Sequence, residues 1–358
     1  MAQRKRNPEV LSRLRRALLD WYDCNRRDLP WRSTRDPYAI WVSEIMLQQT
    51  RVAVVIERYK SFVERFPTVV ALAEADEQDV LALWSGLGYY RRARMLHNAA
   101  QVIAGEFDGR IPTSAAELRK LPGVGTYTAA AIASIAYGEH IAVVDGNVAR
   151  VISRLQRWDS ASTADEAAIR RKVEEVAAEL VDPARPGDFN QALMELGATV
   201  CTPRSPGCLD CPWTAACNTK GEHRTPQRPG MTSREVACAL VLRDANTNSP
   251  QILLEQRSAT ETVMANMWQL PFLRDPEVPE RDQRMVVRHA IMQVNYTVRV
   301  RNVVEAALDT LADRVHRRCW VTPAEAERMA LTGLTRKVLT RAGFLHVQIA
   351  ADRTNGIS

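Results

Sequence analysis

Apolar residues recur every three or four positions through the first half of the chain, as they do along one face of an amphipathic helix. The first such segment contains Val10, Leu11, Leu14, Leu18 and Trp21. The periodicity continues from Pro8 to about Leu196, which predicts an all-α region. Within this region, Asp36 before Pro37 is typical of a helix start, and that helix is predicted to run through Leu47.

A different pattern begins after about residue 234. The predicted strands are Val236–Leu242, Gln251–Glu255 and Tyr296–Val300. Helical segments are predicted around Pro323–Ala330 and Thr335–Ala342. Residues 221–234 between the two regions are polar, aperiodic and contain Pro and Gly, which is typical of a linker. The C-terminal third is therefore predicted to be a separate α+β domain.

Length and composition narrow the class of protein. The 358 residues suit two or three domains better than one. Hydrophobic residues make up 46% and charged residues 25%, which excludes general disorder. No stretch approaches the roughly 18 apolar residues of a membrane span, and no signal peptide begins the sequence, so we expect a soluble cytoplasmic protein. The net charge of +6 is only weak evidence for a polyanionic partner such as nucleic acid. Many enzymes that bind no polyanion are equally basic.

Four of the seven cysteines crowd into one short segment, at Cys201, Cys208, Cys211 and Cys217. In a chain without an export signal, this clustering favours metal or iron–sulfur ligation over disulfides. Zinc sites usually pair two Cys-x2-Cys knuckles across a longer loop, whereas this segment has one knuckle and two unequal spacers. The spacing therefore favours a 4Fe–4S cluster, with zinc as the alternative. Arg204, in the first spacer, is a candidate phosphate contact or a solvated side chain.

A tight hairpin is predicted at Leu121–Gly125, ahead of an Ala-rich helix over Thr126–Tyr137. Gly123 and Gly125 let the backbone turn sharply and, with Val124, expose N–H groups at a helix N-terminus, where anions bind. This is the form of a helix-hairpin-helix element, which holds a nucleic-acid backbone without reading its sequence. On this motif alone, an ordinary helix–helix turn is the alternative.

Two carboxylates lie in opposite predicted environments. Glu44 falls among apolar residues of its helix, and burial raises the pKa of a carboxyl group, as a general acid requires. Asp145 precedes a helix that begins at Gly146, where free N–H groups keep a carboxylate ionised. Taken singly, Glu44 in a buried salt bridge and Asp145 as a plain N-cap are the alternatives. Together, one neutral and one charged carboxyl group match the chemistry of glycosidic cleavage.

These motifs together resemble those of the helix-hairpin-helix base-excision DNA glycosylases with an iron–sulfur cluster, and among them the adenine DNA glycosylases of the MutY type. The matching segments are residues 29–32 (LPWR), 42–50 (VSEIMLQQT), 86–90 (GLGYY), 121–127 (LPGVGTY), 144–148 (VDGNV) and 190–193 (NQAL). The resemblance implies an all-α catalytic region over residues 1–220. Its expected parts are a six-helix domain at about 28–135 and a cluster domain built from the N-terminal helix and about 136–220.

The resemblance also implies roles for the matching residues. Glu44 would protonate the leaving adenine at N7 and Asp145 would stabilise the cationic sugar, with Tyr127 and Asn147 supporting that centre. Tyr127 stands where strand-cleaving relatives carry a lysine nucleophile, so no lysine-based strand cleavage is expected. The residues expected to form the adenine pocket or to enter the opened base stack are Arg27, Leu29, Trp31, Leu47, Gln49, Tyr89 and Gln191. Core packing is the alternative for Trp31 and Leu47.

The C-terminal region, residues 235–350, resembles the Nudix-related domain with which this family recognises 8-oxoguanine. Ile252–Arg257 and Met267–Pro271 carry the match. The stretch Phe272–Arg288 lacks the glutamate-rich helix that a Nudix hydrolase uses to hold Mg²⁺. No pyrophosphatase activity is therefore expected.

The predicted lesion-recognition loop departs from the family. Where relatives commonly have Phe-Ser-His, this chain has Ile291-Met292-Gln293. Met292 cannot donate a hydroxyl hydrogen bond, and Gln293 offers an amide in place of an imidazole. Discrimination of 8-oxoguanine is then expected to come from other groups or to be weaker.

The leading prediction is a monofunctional base-excision glycosylase that hydrolyses the N-glycosidic bond of adenine opposite 8-oxoguanine or guanine in duplex DNA. Gly123, Val124, Gly125 and Arg204 would contact the DNA backbone. One 4Fe–4S cluster, no Mg²⁺ for catalysis, a monomeric state and no membrane partner are expected. The alternatives are a thymine- or oxidised-pyrimidine-specific relative, a damage-binding protein without chemistry, and a Nudix nucleotide hydrolase.

Overall fold

The computed structural model of this protein describes residues 7–158, 163–220, 230–244, 247, 249–261, 263–275, 277–291, 293–312 and 317–346. Contacts divide the chain into two compact units, namely 1–74 with 95–227, and 75–94 with 228–358. The first unit is mostly helical, and the second contains a sheet, as the change in hydrophobic period predicts. Within the described residues, no helix combines the length and the apolar character needed to cross a membrane.

The helices of the first 200 residues follow one another through short connections. They are α1 (Pro8–Asn25), α2 (Pro37–Leu47), α3 (Val52–Arg65), α4 (Val69–Ala73), α5 (Glu77–Leu83), α6 (Arg91–Glu106), α7 (Ala115–Leu118), α8 (Thr126–Tyr137), α9 (Gly146–Gln156), α10 (Thr163–Leu180) and α11 (Pro186–Thr199). Short 3₁₀ turns lie at Pro30–Arg32, Cys208–Asp210 and Thr214–Ala216. The starts predicted for α2, α8 and α9 are confirmed.

Two groups of packed helices form the interior of the first unit. Helix α2 is buried along almost its whole length and packs on α8, which is likewise buried from Thr128 to Ile135. Helix α1 shares a separate hydrophobic core with α9, α10 and α11, and Trp213, within the cysteine segment, belongs to that core. The N-terminal helix therefore packs with the second half of the unit.

A six-stranded mixed sheet organises the second unit. Its strands are β1 (Thr232–Arg243), β2 (Gln251–Gln256), β3 (Trp268–Gln269), β4 (Gln283–Ile291), β5 (Val294–Val303) and β6 (Arg317–Val321), followed by helices α12 (Pro323–Arg328) and α13 (Gly333–Arg341). The strand order is β3-β2-β1-β5-β4, with β6 also beside β2. Strands β1 and β5 are parallel, with Cys238 opposite Val300, and β4 and β5 form an antiparallel hairpin.

The sheet confirms the predicted strands in β1, β2 and β5 and adds three that the sequence pattern did not indicate. The predicted linker is corrected at its end, because residues 232–234 already belong to β1, where they pair with β5. Its first part, residues 221–229, lies outside the described residues. Between Phe272 and Ile291, the described residues form two isolated bridges, a 3₁₀ turn and β4.

Candidate active site

Helix α2 carries Glu44 into the interior of the first unit. The carboxylate of Asp36 caps this helix by accepting hydrogen bonds from the amides of Tyr38 (3.1 Å) and Ala39 (3.2 Å). Glu44 lies two turns further along, and only 5% of its surface is exposed. The helix is therefore fixed at its start and presents an acidic side chain from an otherwise apolar, buried segment.

Tyr127, on α8, is the hydrogen-bond partner of Glu44. Its hydroxyl donates to Oε2 of Glu44 at 2.6 Å and lies 3.4 Å from Sδ of Met194. The pKa of Glu44 is raised to about 7, and burial is the largest cause. The hydrogen bond from Tyr127 and the charge of Arg32 lower the pKa, whereas the nearby Asp145 raises it. Burial likewise raises the pKa of Tyr127 well above its usual value. Glu44 can therefore hold a proton near neutral pH, and Tyr127 remains a neutral phenol.

Asp145 lies at the start of α9, where it is held by donors. Its Oδ1 accepts from the amide of Val148 at 2.7 Å, and its Oδ2 accepts from Nδ2 of Asn147 at 3.0 Å. Both oxygens of the Asp145 carboxylate are therefore held by N–H donors, whereas the carboxyl group of Glu44 is buried and accepts from a phenol.

Arg150 fixes the amide of Asn147 and was not predicted from the sequence. Its Nη2 donates to Oδ1 of Asn147 and to the carbonyl of Gly197, both at 2.8 Å, and its Nε donates to the carbonyl of Cys201 at 2.9 Å. Because Oδ1 of Asn147 accepts from Arg150, its Nδ2 is the atom that faces Asp145. The first turn of α9 thus links the Asp145 carboxylate, through Asn147 and Arg150, to the start of the cysteine segment.

A cavity of about 1180 Å³ in the first unit opens onto these groups. Its walls include Glu44, Tyr127, Asp145 and Asn147 together with the predicted pocket residues Arg27, Leu29, Trp31, Leu47, Gln49 and Gln191. The structure therefore gathers ten of the predicted site residues around one space. Leu29 and Trp31 are buried, and the Trp31 ring meets Tyr59 edge-on at 5.4 Å, so these two residues both line the cavity and pack in the core.

A buried ion-pair network on α11 forms one wall of the cavity. Glu195, 1% exposed, accepts from Nε of Arg27 at 2.7 Å and from Nη2 of Arg32 at 2.8 Å. Burial raises the pKa of Glu195, but the hydrogen bonds from both arginines outweigh this effect and lower the pKa to about 2. Glu195 and Arg32 were not predicted as site residues from the sequence. Glu195 is an acidic residue among apolar residues of a helix, and this is the same pattern that identified Glu44.

The predicted hairpin is present at Leu121–Gly125. Gly123 adopts φ +73°, and a Cβ added there would lie 2.4 Å from Cβ of Met95. Gly125 precedes α8 with φ −85° and is not in the left-handed region, while Val124 is buried. Only Gly123 therefore needs to be glycine for conformational reasons. The amides of the first turn of α8 have no acceptor within the helix, which leaves them for an anion.

The four clustered cysteines line one small cavity and are all free thiols. Arg154 lies beside them, with Nη1 3.4 Å from Sγ of Cys201 and 2.7 Å from the carbonyl of Thr202. Among the described residues, no three Cys, His, Asp or Glu side chains are close enough together to hold a metal ion as the structure stands. Arg204 is exposed within the same segment.

Other predicted residues lie apart from the cavity. Tyr89, 47% exposed, belongs to the second unit with segment 75–94. Ile291 ends β4, and Gln293 lies at the exposed turn before β5, where its carbonyl accepts from the amide of Thr232 at 3.0 Å. Met292 lies outside the described residues, so the predicted lesion-recognition loop stays a prediction.

Comparison with known proteins places these features in a family. Residues 42–179 match the HhH-GPD superfamily of base excision DNA repair proteins. An adenine DNA glycosylase of Rattus norvegicus is 47% identical over 252 residues, 67% of this chain and 47% of that protein. One from Mycolicibacterium smegmatis is 46% identical over 239 residues, 64% of this chain and 80% of that protein.

A solved structure resembles the helical unit. A thermostable thymine-DNA glycosylase superposes with a TM-score of 0.54 at 30% identity, covering 60% of this chain and 98% of that one. Against several adenine DNA glycosylases, including the rat and mouse proteins, this chain spans about half of the relative's length.

Proposed function

Because this chain belongs to the adenine DNA glycosylases of the HhH-GPD superfamily, we propose that it hydrolyses the N-glycosidic bond of adenine mispaired with 8-oxoguanine or guanine in duplex DNA. The observation that carries the proposal is the facing pair of carboxylates in one cavity, Glu44 with a raised pKa and Asp145 held by N–H donors. A proton donor and a second carboxylate held in the same site are the two groups that glycosidic cleavage uses.

Glu44 is the proton donor in this mechanism. As the C1′–N9 bond breaks, its electron pair moves to the adenine ring, and the Glu44 proton neutralises that charge at N7. The Tyr127 hydroxyl keeps the carboxyl group oriented by its 2.6 Å hydrogen bond. A pKa of about 7 leaves a large fraction of Glu44 protonated at neutral pH, which suits a general acid.

Asp145 opposes the positive charge that develops on the sugar. Asn147 and the amide of Val148 hold both of its oxygens in place before the reaction, so no reorganisation is needed when the charge appears. Water then adds to C1′, and the Glu44 carboxylate, which has lost its proton to adenine, accepts the proton that the water releases. Tyr127 is a phenol at the position where an amine nucleophile would form a Schiff base, so the proposed enzyme does not cut the strand by that route.

The cavity suits a planar base that has been turned out of the duplex. Trp31, Leu29 and Leu47 supply apolar contact for the ring faces, and the Arg27 guanidinium, held by the Glu195 carboxylate, supplies a donor at the edge. A base edge that offers an acceptor fits this wall. The curated relatives are named for adenine, which supports this base over the thymine alternative.

Duplex DNA is the proposed partner, held at the hairpin before α8 and at exposed Arg204. The second unit is proposed to recognise the base opposite adenine through the β4–β5 turn. The glycosidic step is proposed to need no Mg²⁺, because the two carboxylates and water account for every proton and charge in it.

A 4Fe–4S cluster is the cofactor proposed for the cysteine segment. Cys201, Cys208, Cys211 and Cys217 supply the four thiolates that such a cluster requires, and they share one cavity without any disulfide. Such a cluster would hold the irregular loop around Arg204 in shape for the DNA backbone. Catalysis as described needs no group from it.

Identification of the released base tests this proposal. Duplexes with adenine opposite 8-oxoguanine, adenine opposite guanine and thymine opposite guanine are incubated with the full chain, and free bases are separated by chromatography. Free adenine from the first two supports the proposal. Free thymine would favour the pyrimidine-specific alternative, and tight binding with no free base would favour a damage-binding protein.

A further inference from the structure

Segment 75–94 is part of the catalytic region in sequence but belongs to the second unit by its contacts. It comprises α5, the Gly86–Tyr89 loop and the first turn of α6. This grouping rests on contacts that residues of the C-terminal region make with the segment.

The Gly86–Tyr89 loop presents one exposed aromatic ring on a fixed frame. Tyr89 is 47% exposed and adopts φ +47°, a left-handed conformation that is strained for a non-glycine residue. Nε1 of Trp84 donates to the carbonyl of Gly88 at 3.2 Å. Nη2 of Arg92 donates to the carbonyls of Leu87 (2.9 Å) and Gly88 (3.1 Å), and its guanidinium lies over the Tyr89 ring. The ring is therefore held out of the loop and not packed into it.

Helix α13 of the C-terminal region contacts this frame. Nε of Arg336 donates to Oγ of Ser85 at 3.0 Å, directly before the loop, and Ser85 is 2% exposed. The next residue on the helix, Lys337, donates from Nζ to the carbonyl of Arg288 on β4 at 2.7 Å. Adjacent residues of α13 thus reach the Tyr89 frame and the strand that leads to the β4–β5 turn.

A second contact with the C-terminal region lies on α5, near the start of segment 75–94. The loop before β3 places Asn266 against α5, where its Nδ2 donates to Oε1 of Glu77 at 3.2 Å and its carbonyl accepts from Nε2 of Gln78. Asn266 has φ +57°, so this loop is held in an uncommon conformation at the contact. Two separate C-terminal elements therefore contact the segment, one at α5 and the other directly before the loop that carries Tyr89.

Helix α13 is itself fixed to the sheet. Oγ1 of Thr335 accepts from the amide of Leu270 at 3.0 Å, and Leu334, Val338 and Leu339 are buried in the core of the second unit. Helix α13 is therefore packed on the sheet as one rigid element, in the core that also contains Val287 of β4.

We propose that α13 couples the β4–β5 turn to the Tyr89 loop, with Arg336 and Lys337 as positioning residues that set how far Tyr89 enters the base stack. The inference rests on the proposed function, in which the turn meets the base opposite adenine. Contact with that base shifts β4, and α13 carries the shift to Ser85 and the loop. Recognition of the opposite base and extrusion of adenine are then parts of one movement.

The test measures extrusion of the target base separately from its release. All variants are made in the full chain with Asp145→Asn, which is expected to bind the duplex without cleaving it. In the duplex, 2-aminopurine replaces the target adenine opposite 8-oxoguanine, and the fluorescence of 2-aminopurine reports its unstacking. Arg336→Met removes the donor, Ser85→Ala removes the acceptor, and Arg341→Met on the exposed side of the same helix is the matched control with the same loss of charge.

Arg336→Met and Ser85→Ala are each expected to lower the equilibrium constant for unstacking roughly tenfold, the effect of one lost charge-assisted hydrogen bond. Arg341→Met should match the parent. In a double-mutant cycle, Arg336→Met should have no further effect once Tyr89→Ala is present, because Arg336 acts through that ring. A merely structural role would lower the melting temperature without this dependence on Tyr89.

Three results would overturn the proposal. The first is a signal from Arg336→Met equal to that from Arg341→Met. The second is an effect of Arg336→Met that adds fully to that of Tyr89→Ala, which would make Arg336 an independent DNA contact. If Arg336→Met is poorly folded, Ser85→Ala decides the matter alone, and a parent-like signal from it counts against the link. Adenine release by the unmutated chain is measured in parallel. If the proposed function is wrong, the unmutated chain releases no adenine. If only the coupling through α13 is wrong, the unmutated chain releases adenine but Arg336→Met and Ser85→Ala unstack the base as the parent does.

Discussion

At the scale of single residues, burial sets the chemistry of Glu44. Its pKa of about 7 places the loss of its proton inside the pH range where the enzyme can be assayed. A general acid works in its protonated form, so the rate constant for adenine release should be constant below that pH and fall as the pH rises through about 7. Single-turnover rates from pH 5 to pH 9 measure this profile.

Glu44→Gln provides the control for the pH profile. The amide cannot donate the reacting proton, so the variant should be slower by roughly 10²- to 10⁴-fold and should lack the decline above pH 7. A decline that persists in Glu44→Gln would assign the titration to another group and remove Glu44 from its proposed role.

Asn147 is predicted to act on the rate and not on binding, because it holds Oδ2 of Asp145. Asn147→Ala removes a hydrogen bond to a charged group, for which a roughly tenfold or greater fall in the rate constant is expected. Affinity for the mispaired duplex should change little. Asn302→Ala, at an exposed position of β5, is the matched control. A loss of affinity that accounts for the whole effect would contradict this role.

Several residues of the site follow from local sequence and others do not. Glu44 stands out as a carboxylate in an apolar helix, and Asp145 stands out as an N-cap, so both were predictable from their neighbours. The partners of Glu195 are more than 160 residues away in sequence. No local sequence pattern predicts contacts between such distant residues. The contact between Arg150 and Cys201 was not predicted for the same reason.

At the scale of elements, the hairpin before α8 offers a matched pair of glycines. Gly123→Ala places a Cβ 2.4 Å from Met95 and forces a left-handed conformation, which costs about 1–2 kcal/mol before the clash is counted. It should lower the melting temperature and weaken DNA binding.

Gly125→Ala is the control for this prediction, because φ is −85° and no atom lies within 4 Å of the added Cβ. Its melting temperature should equal that of the unmutated chain. Calorimetry and DNA titrations at fixed salt measure both variants. Equal stability of the two variants would contradict the assigned backbone requirement at Gly123.

Elements with a strong internal period were predicted and weakly patterned ones were not. Strand β5 alternates clearly, and α2 and α8 have explicit starts. Strand β4 buries only Val287 among its nine residues, so its sequence gives little sign of a sheet. Strand β3 has two residues, and β6 is held by pairing with β2, more than 60 residues earlier. Such strands form because of a distant partner and not because of their own pattern.

At the scale of the whole molecule, the cysteine segment predicts the metal content of the purified chain. The full-length protein should carry about four iron atoms per chain and absorb visible light. Cys211→Ser should lose iron, whereas Cys24→Ser, which changes an exposed thiol on α1, should retain it. Elemental analysis measures the content. One zinc atom per chain in a colourless protein would contradict the cluster.

The two-unit organisation was predictable in outline from the change of hydrophobic period after the cysteine segment. The membership of segment 75–94 was not, because it depends on side-chain contacts such as that of Arg336 with Ser85, 251 positions apart. Chain order assigns the segment to the helical region, whereas its contacts assign it to the unit with the sheet. The net charge of +6 gives no hint of this arrangement.

The central claim is that Glu44 and Asp145 cleave the glycosidic bond of adenine. The most direct measurement is single-turnover adenine release from a duplex with adenine opposite 8-oxoguanine, by the unmutated chain and by Asp145→Asn, with duplex affinity determined for both. The account predicts a fall of at least about a hundredfold in the rate constant at nearly unchanged affinity, because the developing sugar charge loses its counter-ion. Adenine release by Asp145→Asn at the unmutated rate would contradict it.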